Sequence, residues 1–205
     1  MEVKLQQIRK NPYKEFYVKI NMEMKLFSLA GDTMSNPTVQ LSPYSEEWAV
    51  KFQYEKYQIL NVIGGEISAV EHIGSTSVKG LTAKPIIDIM VGIDDLDRTE
   101  ILIEPLSKID FEHVPKPGLT QRRFFRKGLW GRGTCHLHVC EFQGKEWNEK
   151  LLFRDYLRNR PQAAEEYAQL KSELAVKYKF DRPAYTEHKE PFIRKIIQRA
   201  KADFL

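Results

Sequence analysis

A single acidic residue interrupts a short apolar segment in the middle of the chain. Residues 85–91 have the sequence Pro-Ile-Ile-Asp-Ile-Met-Val, and their length and β-branched side chains predict a buried strand. Because an ionised carboxylate is costly to bury without a partner, Asp88 must meet a metal ion, a cation or backbone donors. The segment therefore predicts a core strand with a polar site built on it.

A turn rich in hydroxyl groups precedes this strand. The strand predicted at Ile67–Ile73 is broken by Gly74, and residues 75–77 are Ser-Thr-Ser. Backbone N–H groups and hydroxyls in such a turn can bind a phosphate, and Lys84 lies just before the acidic strand. The alternative is a structural turn, with Lys84 pairing with Asp88 only to brace the fold. The expected phosphate-binding residues are Gly74, Ser75, Thr76, Ser77 and Lys84.

Periodic patterns elsewhere predict an α+β architecture. Ser42 and Pro43 are suited to cap and open a helix that Gly64 ends. The remaining predicted elements are a helix at 94–108 capped by Asp94 or Asp95, a short strand at 111–114, a hairpin of 120–130 and 134–142, and helices at 147–160, 161–178 and 192–204. Strands precede helices, so we expect a mixed β-sheet flanked by helices, with a helical C-terminal part.

The first 35 residues differ from the rest. Apolar side chains occupy most even positions from Phe16 to Leu26, which predicts a short strand or hairpin, and residues 31–37 have the composition of a loop. A length of 205 residues favours one domain with a terminal appendage. We therefore place an N-terminal extension at 1–35 and the main domain at 36–205.

Charge and cysteine content indicate a cytoplasmic protein. The formal net charge of +4 is compatible with anionic small molecules and does not by itself predict a nucleic acid partner. No segment has the run of apolar residues that a membrane span needs, so we expect no membrane partner. Cys135 and Cys140 are five residues apart in a predicted strand; they should face opposite ways and stay reduced.

The run from His72 to Ile89 resembles the GrpB family within the nucleotidyltransferase superfamily. Residues 136–139, 153–158 and 185–189 also resemble GrpB, so that the resemblance covers the chain from about Val39 to the C-terminus. It implies a nucleotidyltransferase-like core and, as the ligand, a nucleoside triphosphate or another phosphorylated small molecule. It further implies catalytic roles for Lys84, which would neutralise developing charge, and for Asp88, which would hold a metal ion.

One position departs from the pattern of active nucleotidyltransferases. These enzymes resemble one another in having Asp-x-Asp or Asp-x-Glu on this strand and a third acid nearby, which together hold two Mg²⁺ ions. Here Met90 stands at the second acidic position, and a thioether is a poor ligand for Mg²⁺. We expect Asp88, His136 and His138 to form a substitute metal site. The expected cofactor is a divalent metal ion (Mg²⁺, Mn²⁺ or Zn²⁺), and this ligand set suits Mn²⁺, Fe²⁺ or Zn²⁺ better than Mg²⁺. The alternative is a pair of ordinary strand histidines.

A basic run with interleaved aromatic residues, 121–127, offers a further anion contact. Arg123 is expected to contact the triphosphate, although the run could instead bind single-stranded nucleic acid or form a solvated hairpin face. Arg154 and Arg158 could close over phosphates or pair with surface acids. Three functions stay open: nucleotide binding with transfer of a nucleotidyl group to an acceptor, ligand or partner binding without catalysis, and interaction with RNA, which is the less favoured partner.

Overall fold

The described part of the protein lies in one of two units. The computed structural model describes residues 38–129 and 132–203. The chain divides into Met1–Asn36 and Pro37–Leu205, and every described residue belongs to the second unit. The strand or hairpin predicted in the first 35 residues and Gly131 of the predicted hairpin turn lie outside the described residues. These expectations and the proposed domain boundary therefore stay predictions.

Five strands form one mixed sheet. They are β1 (Ala69–Ile73), β2 (Ile87–Ile93), β3 (Glu112–His113), β4 (Arg122–Lys127) and β5 (Cys135–Glu141). Their order across the sheet is β1-β2-β5-β4-β3. β2 and β5 run parallel, and the other neighbouring pairs are antiparallel. The strand that carries Asp88 is thus an interior strand, which accounts for its apolar sequence.

The helices complete the α+β fold that the sequence predicted. They are α1 (Glu47–Ile63), α2 (Glu100–Ser107), α3 (Lys145–Asn159), α4 (Pro161–Lys177), α5 (Arg182–Glu187) and α6 (Glu190–Asp203). The short α5 was not predicted; it begins where the carboxylate of Asp181 accepts a hydrogen bond from the N–H of Ala184 at 2.9 Å. Among the helices of the described ranges, none is long and apolar enough to cross a membrane.

Alternate side chains of the strands face two separate cores. Ile89 and Leu137 pack on the side of the sheet that α1 and α2 cover. Met90 lies on the other side, where Trp147 of α3 packs against it. Because side chains alternate along a strand, Asp88 shares the α3 side with Met90. The site is therefore built on the α3 side of the sheet.

The two cysteines follow the same alternation. Cys135 belongs to the core under α1 and α2, whereas Cys140 belongs to the core under α3. Both are free thiols. The prediction that they face opposite ways and form no disulfide with each other is confirmed.

The C-terminal helices cover the loop that leads into β2. Tyr167 of α4 and Ile196 of α6 pack in one apolar cluster with Val78 and Leu81. This loop connects Gly74 to the acidic strand, so the packing brings side chains of the C-terminal part close to both.

The start of the first helix differs from the prediction. Ser42 pairs with Ala83 in a β-bridge, with N–H···O distances of 2.8 and 3.0 Å in the two directions, and the helix begins only at Glu47. The hydroxyl of Ser45 accepts a hydrogen bond from the N–H of Glu47 at 3.3 Å. The prediction that Ser42 and Pro43 open the helix is wrong, because this long-range bridge holds Ser42 in an extended backbone. The predicted cap of the helical segment before α2, Leu96–Thr99, is confirmed, since the side chain of Asp95 accepts a hydrogen bond from the N–H of Asp97 at 2.9 Å.

Candidate functional site

Gly74 lies directly against Asp88. Ile73, the last residue of β1, pairs with Asp88 in the antiparallel ladder. Gly74 has φ +70° and ψ −174°, a backbone conformation that glycine adopts freely and other residues adopt only with strain. A β-carbon on Gly74 would lie 2.3 Å from Oδ2 of Asp88. The turn can therefore pack against Asp88 in this way only if residue 74 is glycine.

The three hydroxyl residues after Gly74 have different surroundings. The Ser77 hydroxyl donates to the carbonyl oxygen of Gly74 at 2.6 Å. The Thr76 hydroxyl donates to a backbone carbonyl oxygen at 3.3 Å. Ser75 instead interacts through its side chain with Tyr167 of α4. The hydroxyls of Thr76 and Ser77 thus support the turn itself, and a phosphate-binding role for them stays a prediction.

Asp88 meets a histidine from the parallel neighbouring strand. It is the register partner of His136, and Nδ1 of His136 lies 3.1 Å from its Oδ1. Burial opposes ionisation, but the hydrogen bond and charge of His136, with the charges of His138 and Lys84, outweigh it and lower the pKa of Asp88 to about 2. Since the side chain is 29% exposed, this ionised carboxylate can still contact a ligand.

The three predicted metal ligands do not form one group. His138 is the register partner of Met90, two register pairs farther along the strands than Asp88 and His136. Its Nδ1 is buried and has no hydrogen-bond partner in the described part of the chain, and burial holds the pKa of the imidazole well below its ordinary value. Within residues 38–129 and 132–203, no group of three or more His, Cys, Asp and Glu side chains could hold a metal ion. The structure assembles Asp88 with His136 and leaves His138 out of the expected set.

Two lysines lie over one buried tyrosine ring. Nζ of Lys84 is 4.9 Å and Nζ of Lys189 is 4.5 Å from the ring centroid of Tyr185, which is 1% exposed. Within the described residues, neither ammonium has a hydrogen bond or an ion pair, so the salt bridge from Lys84 to Asp88 that was the alternative interpretation is not present. Burial and the charges of Lys189 and Arg182 lower the pKa of Lys84 to about 8. The site thus holds cationic charge without a matching anion.

The C-terminal helices add more positive charge. Lys171 of α4 is 2% exposed and donates to the carbonyl oxygen of Thr82, and burial lowers its pKa to about 7. Arg182 of α5 contributes its charge to the surroundings of Lys84. Sequence reasoning missed Lys171, Arg182 and Lys189 as site residues. The resemblance at 185–189 pointed to Lys189 alone, and it carried no evident chemistry.

Arg123 lies away from this site. It is the register partner of Val139, whose side chain belongs to the core under α1 and α2, so Arg123 is on the opposite side of the sheet from Asp88. One of its terminal nitrogens lies 3.7 Å from a carboxylate oxygen of Asp97. The expectation that Arg123 contacts the same ligand as Asp88 is therefore corrected by the alternation of β4.

The other arginines of the basic run also have acidic partners. Arg122 pairs with Glu146, and Arg126 lies 2.9 Å from Glu112. These pairs reduce the free positive charge that the run offers to a nucleic acid.

Arg154 and Arg158 connect α3 to the strand and the turn below it. Arg154 is 10% exposed and donates to Glu71 at 2.6 Å and to the carbonyl oxygen of His72 at 3.0 Å. Arg158 donates to the carbonyl oxygen of Ser77 at 2.9 and 3.1 Å. Both arginines thus position the turn that begins at Gly74.

Comparisons with known proteins agree on one family. The family model described as GrpB protein matches residues 38–199. The glutamate-rich protein GrpB of Alkalihalophilus pseudofirmus is 38% identical over 163 residues, covering 78% of this chain and 94% of that protein. A crystal structure of the conserved protein GrpB from Enterococcus faecalis superposes with a TM-score of 0.74 at 34% identity, covering 80% of this chain and 99% of that one.

A more distant relative has a longer chain. The dephospho-CoA kinase of Mycolicibacterium paratuberculosis is 27% identical over 199 residues, covering 84% of this chain and 48% of the kinase. The chain therefore spans about half the length of that relative. Since the family model matches most of this chain and the two GrpB proteins match over most of their own length, the chain belongs to the GrpB family.

Proposed function

We propose that the protein binds a nucleotide beside Lys84 and Asp88, where the Gly74–Ser75 turn meets the C-terminal helices. The observation that carries this proposal is the ammonium of Lys84, which is half-buried beside the turn and lacks an anionic partner in the described residues. A buried cation without a counterion is costly, and an anionic ligand offsets that cost. A phosphate group is the anion that such a set of donors suits best.

Family membership and a relative support a nucleotide as the source of the phosphate. The order of Gly74, Ser75 and Asp88 resembles the nucleotidyltransferase signature, and the structure packs Gly74 against Asp88. A relative that contains a region similar to this chain is named dephospho-CoA kinase, which indicates chemistry on a phosphorylated molecule. Both observations favour a phosphorylated ligand with a nucleoside part.

The residues present do not fit the paired metal ions of an active nucleotidyltransferase. Met90 is fully buried at the second acidic position, and a thioether does not replace a carboxylate oxygen for Mg²⁺. Asp88 is already engaged by His136, and His138 does not join them. These residues therefore do not support the two-metal mechanism of nucleotidyl transfer.

Two alternative functions of the site follow from these observations. Binding without catalysis is favoured by Met90 and by the incomplete ligand set. Metal-dependent transfer is favoured by the position of Asp88 beside the Gly74–Ser75 turn, where one carboxylate could still bind a divalent ion together with the phosphates of the ligand. Conversion of the bound nucleotide in the presence of Mg²⁺ or Mn²⁺ would distinguish transfer from binding alone.

A panel of ligands tests the proposal. Thermal unfolding is measured with ATP, GTP, CTP and UTP, each with Mg²⁺, with Mn²⁺ and with a chelator. Binding to the native state raises Tm in proportion to the logarithm of ligand concentration, so at least one nucleotide should raise it in wild type and raise it less in Lys84→Gln. No rise with any nucleotide in any of the three conditions would contradict nucleotide binding.

A further inference from the structure

We propose that Lys84 and Lys189, both held on the ring of Tyr185, bind the phosphates of a polyphosphate ligand directly, without a divalent metal ion between the protein and those phosphates. This inference rests on the proposed function and adds the class of ligand and the group that neutralises it. It also makes the C-terminal part of the chain a component of the binding site.

The geometry of the two lysines carries the proposal. Their Nζ atoms lie 4.9 and 4.5 Å from the centroid of the same ring, and this ring is fixed because Tyr185 is buried in the cluster with Val39 and Leu174. A tyrosine face attracts a cation, but two ammoniums that share one ring repel each other. Since neither forms an ion pair among the described residues, an anion that contacts both would relieve the repulsion.

The balance of charge around the pair favours an anion with more than one negative charge. Lys189 and Arg182 lie close enough to lower the pKa of Lys84, and Lys189 also lowers the pKa of Lys171. Asp88 is the carboxylate whose charge acts on both lysines, and it is hydrogen-bonded to His136. One carboxylate does not neutralise the ammoniums of both Lys84 and Lys189, so the pair is left with net positive charge that a polyphosphate matches.

The ammonium groups have the role that a divalent metal ion has in other phosphate sites, which is to neutralise the phosphate oxygens. A divalent ion neutralises phosphate oxygens and needs several oxygen ligands from the protein or the substrate. Here the protein offers Asp88 as a carboxylate beside Gly74, while the ammonium groups of Lys84 and Lys189 lie on the ring of Tyr185. Ammonium groups bind phosphate oxygens directly and need no further ligands.

The two lysines come from distant parts of the chain. Lys84 lies just before β2, and Lys189 lies between α5 and α6. A ligand that contacts both therefore links the sheet to the C-terminal helices.

Calorimetric titration in a buffer containing EDTA tests the proposal. The probes are inorganic tripolyphosphate and ATP, and the proteins are wild type, Lys189→Gln, Lys84→Gln and Asp88→Asn. Lys195→Gln is the matched control, because Lys195 is an exposed lysine on α6. Circular dichroism confirms that each variant is folded.

We expect both probes to bind wild type in EDTA. Either lysine substitution should weaken binding by about tenfold, which corresponds to about 1.4 kcal/mol. Lys195→Gln should bind as wild type does. Asp88→Asn should bind at least as tightly as wild type, because it removes a negative charge that repels phosphate.

Other outcomes overturn the proposal in distinguishable ways. Binding of ATP that requires Mg²⁺ and is lost in Asp88→Asn would overturn the metal-free arrangement and leave nucleotide binding standing. Binding of ATP in EDTA that Lys189→Gln does not weaken would exclude the C-terminal lysine. Absence of binding by both probes in EDTA would refute this inference, whereas the proposed function fails only if none of ATP, GTP, CTP and UTP binds with or without metal.

Discussion

The side chain of Asp88 occupies the space that a side chain at Gly74 would need: a β-carbon at position 74 would lie 2.3 Å from Oδ2 of Asp88 and 2.9 Å from its β-carbon. The close approach joins the end of β1 to the acid of β2 and sets the position of both. The structure of the site therefore depends on the absence of a side chain at one residue.

Gly74→Ala should destabilise the fold and distort the site. The substitution adds a clash with Asp88 to a backbone conformation that already costs alanine about 1–3 kcal/mol. We expect the free energy of unfolding to fall by more than about 2 kcal/mol, as measured by urea denaturation.

Gly80→Ala provides the control for this change. Gly80 also has a positive φ, +80°, but a β-carbon there would meet nothing within 4 Å. It should cost about 1 kcal/mol, from backbone strain alone. Equal costs for the two substitutions would show that the contact with Asp88 does not matter.

The stability of the protein should fall as the pH drops from 6.5 to about 4. Burial lowers the pKa of His72 from 6.5 to about 4, while its ring stacks on Phe52 at a centroid distance of 4.6 Å. Because the native state resists protonation of His72, stability is fully present above pH 6.5 and is lost as the pH approaches 4. The loss should reach about 3 kcal/mol at most.

Urea denaturation between pH 7 and pH 4 measures this effect. His72→Phe keeps an aromatic ring on Phe52 and removes the titrating group, so its stability should vary less with pH than that of wild type. Replacing the exposed His188 by Gln should not change the dependence of stability on pH. A His72→Phe profile as steep as that of wild type would assign the pH dependence to other groups.

Arg154 should be a strong structural contact between α3 and β1. Its guanidinium is 10% exposed and is bonded to Glu71, to the carbonyl oxygen of His72 and to Asp155. Removing one partner from a buried ionic network typically costs about 3–5 kcal/mol. We expect Arg154→Met to lower the free energy of unfolding by about 3 kcal/mol in chemical denaturation.

Arg158→Met is the comparison for Arg154→Met. Arg158 is 39% exposed and donates to the carbonyl oxygen of Ser77, so its loss should cost about 1 kcal/mol. If Arg154→Met were no more destabilising than Arg158→Met, the network around Arg154 would not be a main contact of this helix.

The local parts of the site could be predicted from the sequence. The apolar segment of β2, the break at Gly74 and the position of Lys84 each depend on a few neighbouring residues. The need of Asp88 for a partner also followed from its apolar surroundings. The structure supplies that partner as His136, with the two side chains 3.1 Å apart.

The long-range parts could not be predicted in this way. Arg123 was expected near Asp88, but the alternation of β4 against β5 places it on the other side of the sheet. Lys189 reaches the site because α4 and α6 pack over the loop after Gly74, a contact between segments that are far apart in the chain. Periodicity identifies the apolar face of a helix but does not identify the surface it packs against.

The most direct test of nucleotide binding is calorimetric titration of ATP into wild type and Lys84→Gln. The ammonium of Lys84, which has no anionic partner among the described residues, is the basis of the proposal, so its replacement should weaken ATP binding by about tenfold or more, equivalent to about 1.4 kcal/mol. Lys195→Gln, run in parallel, should bind as wild type does. Equal affinity of wild type and Lys84→Gln for ATP, or no heat of binding with any of ATP, GTP, CTP and UTP, would contradict the assignment of a nucleotide site to this place in the fold.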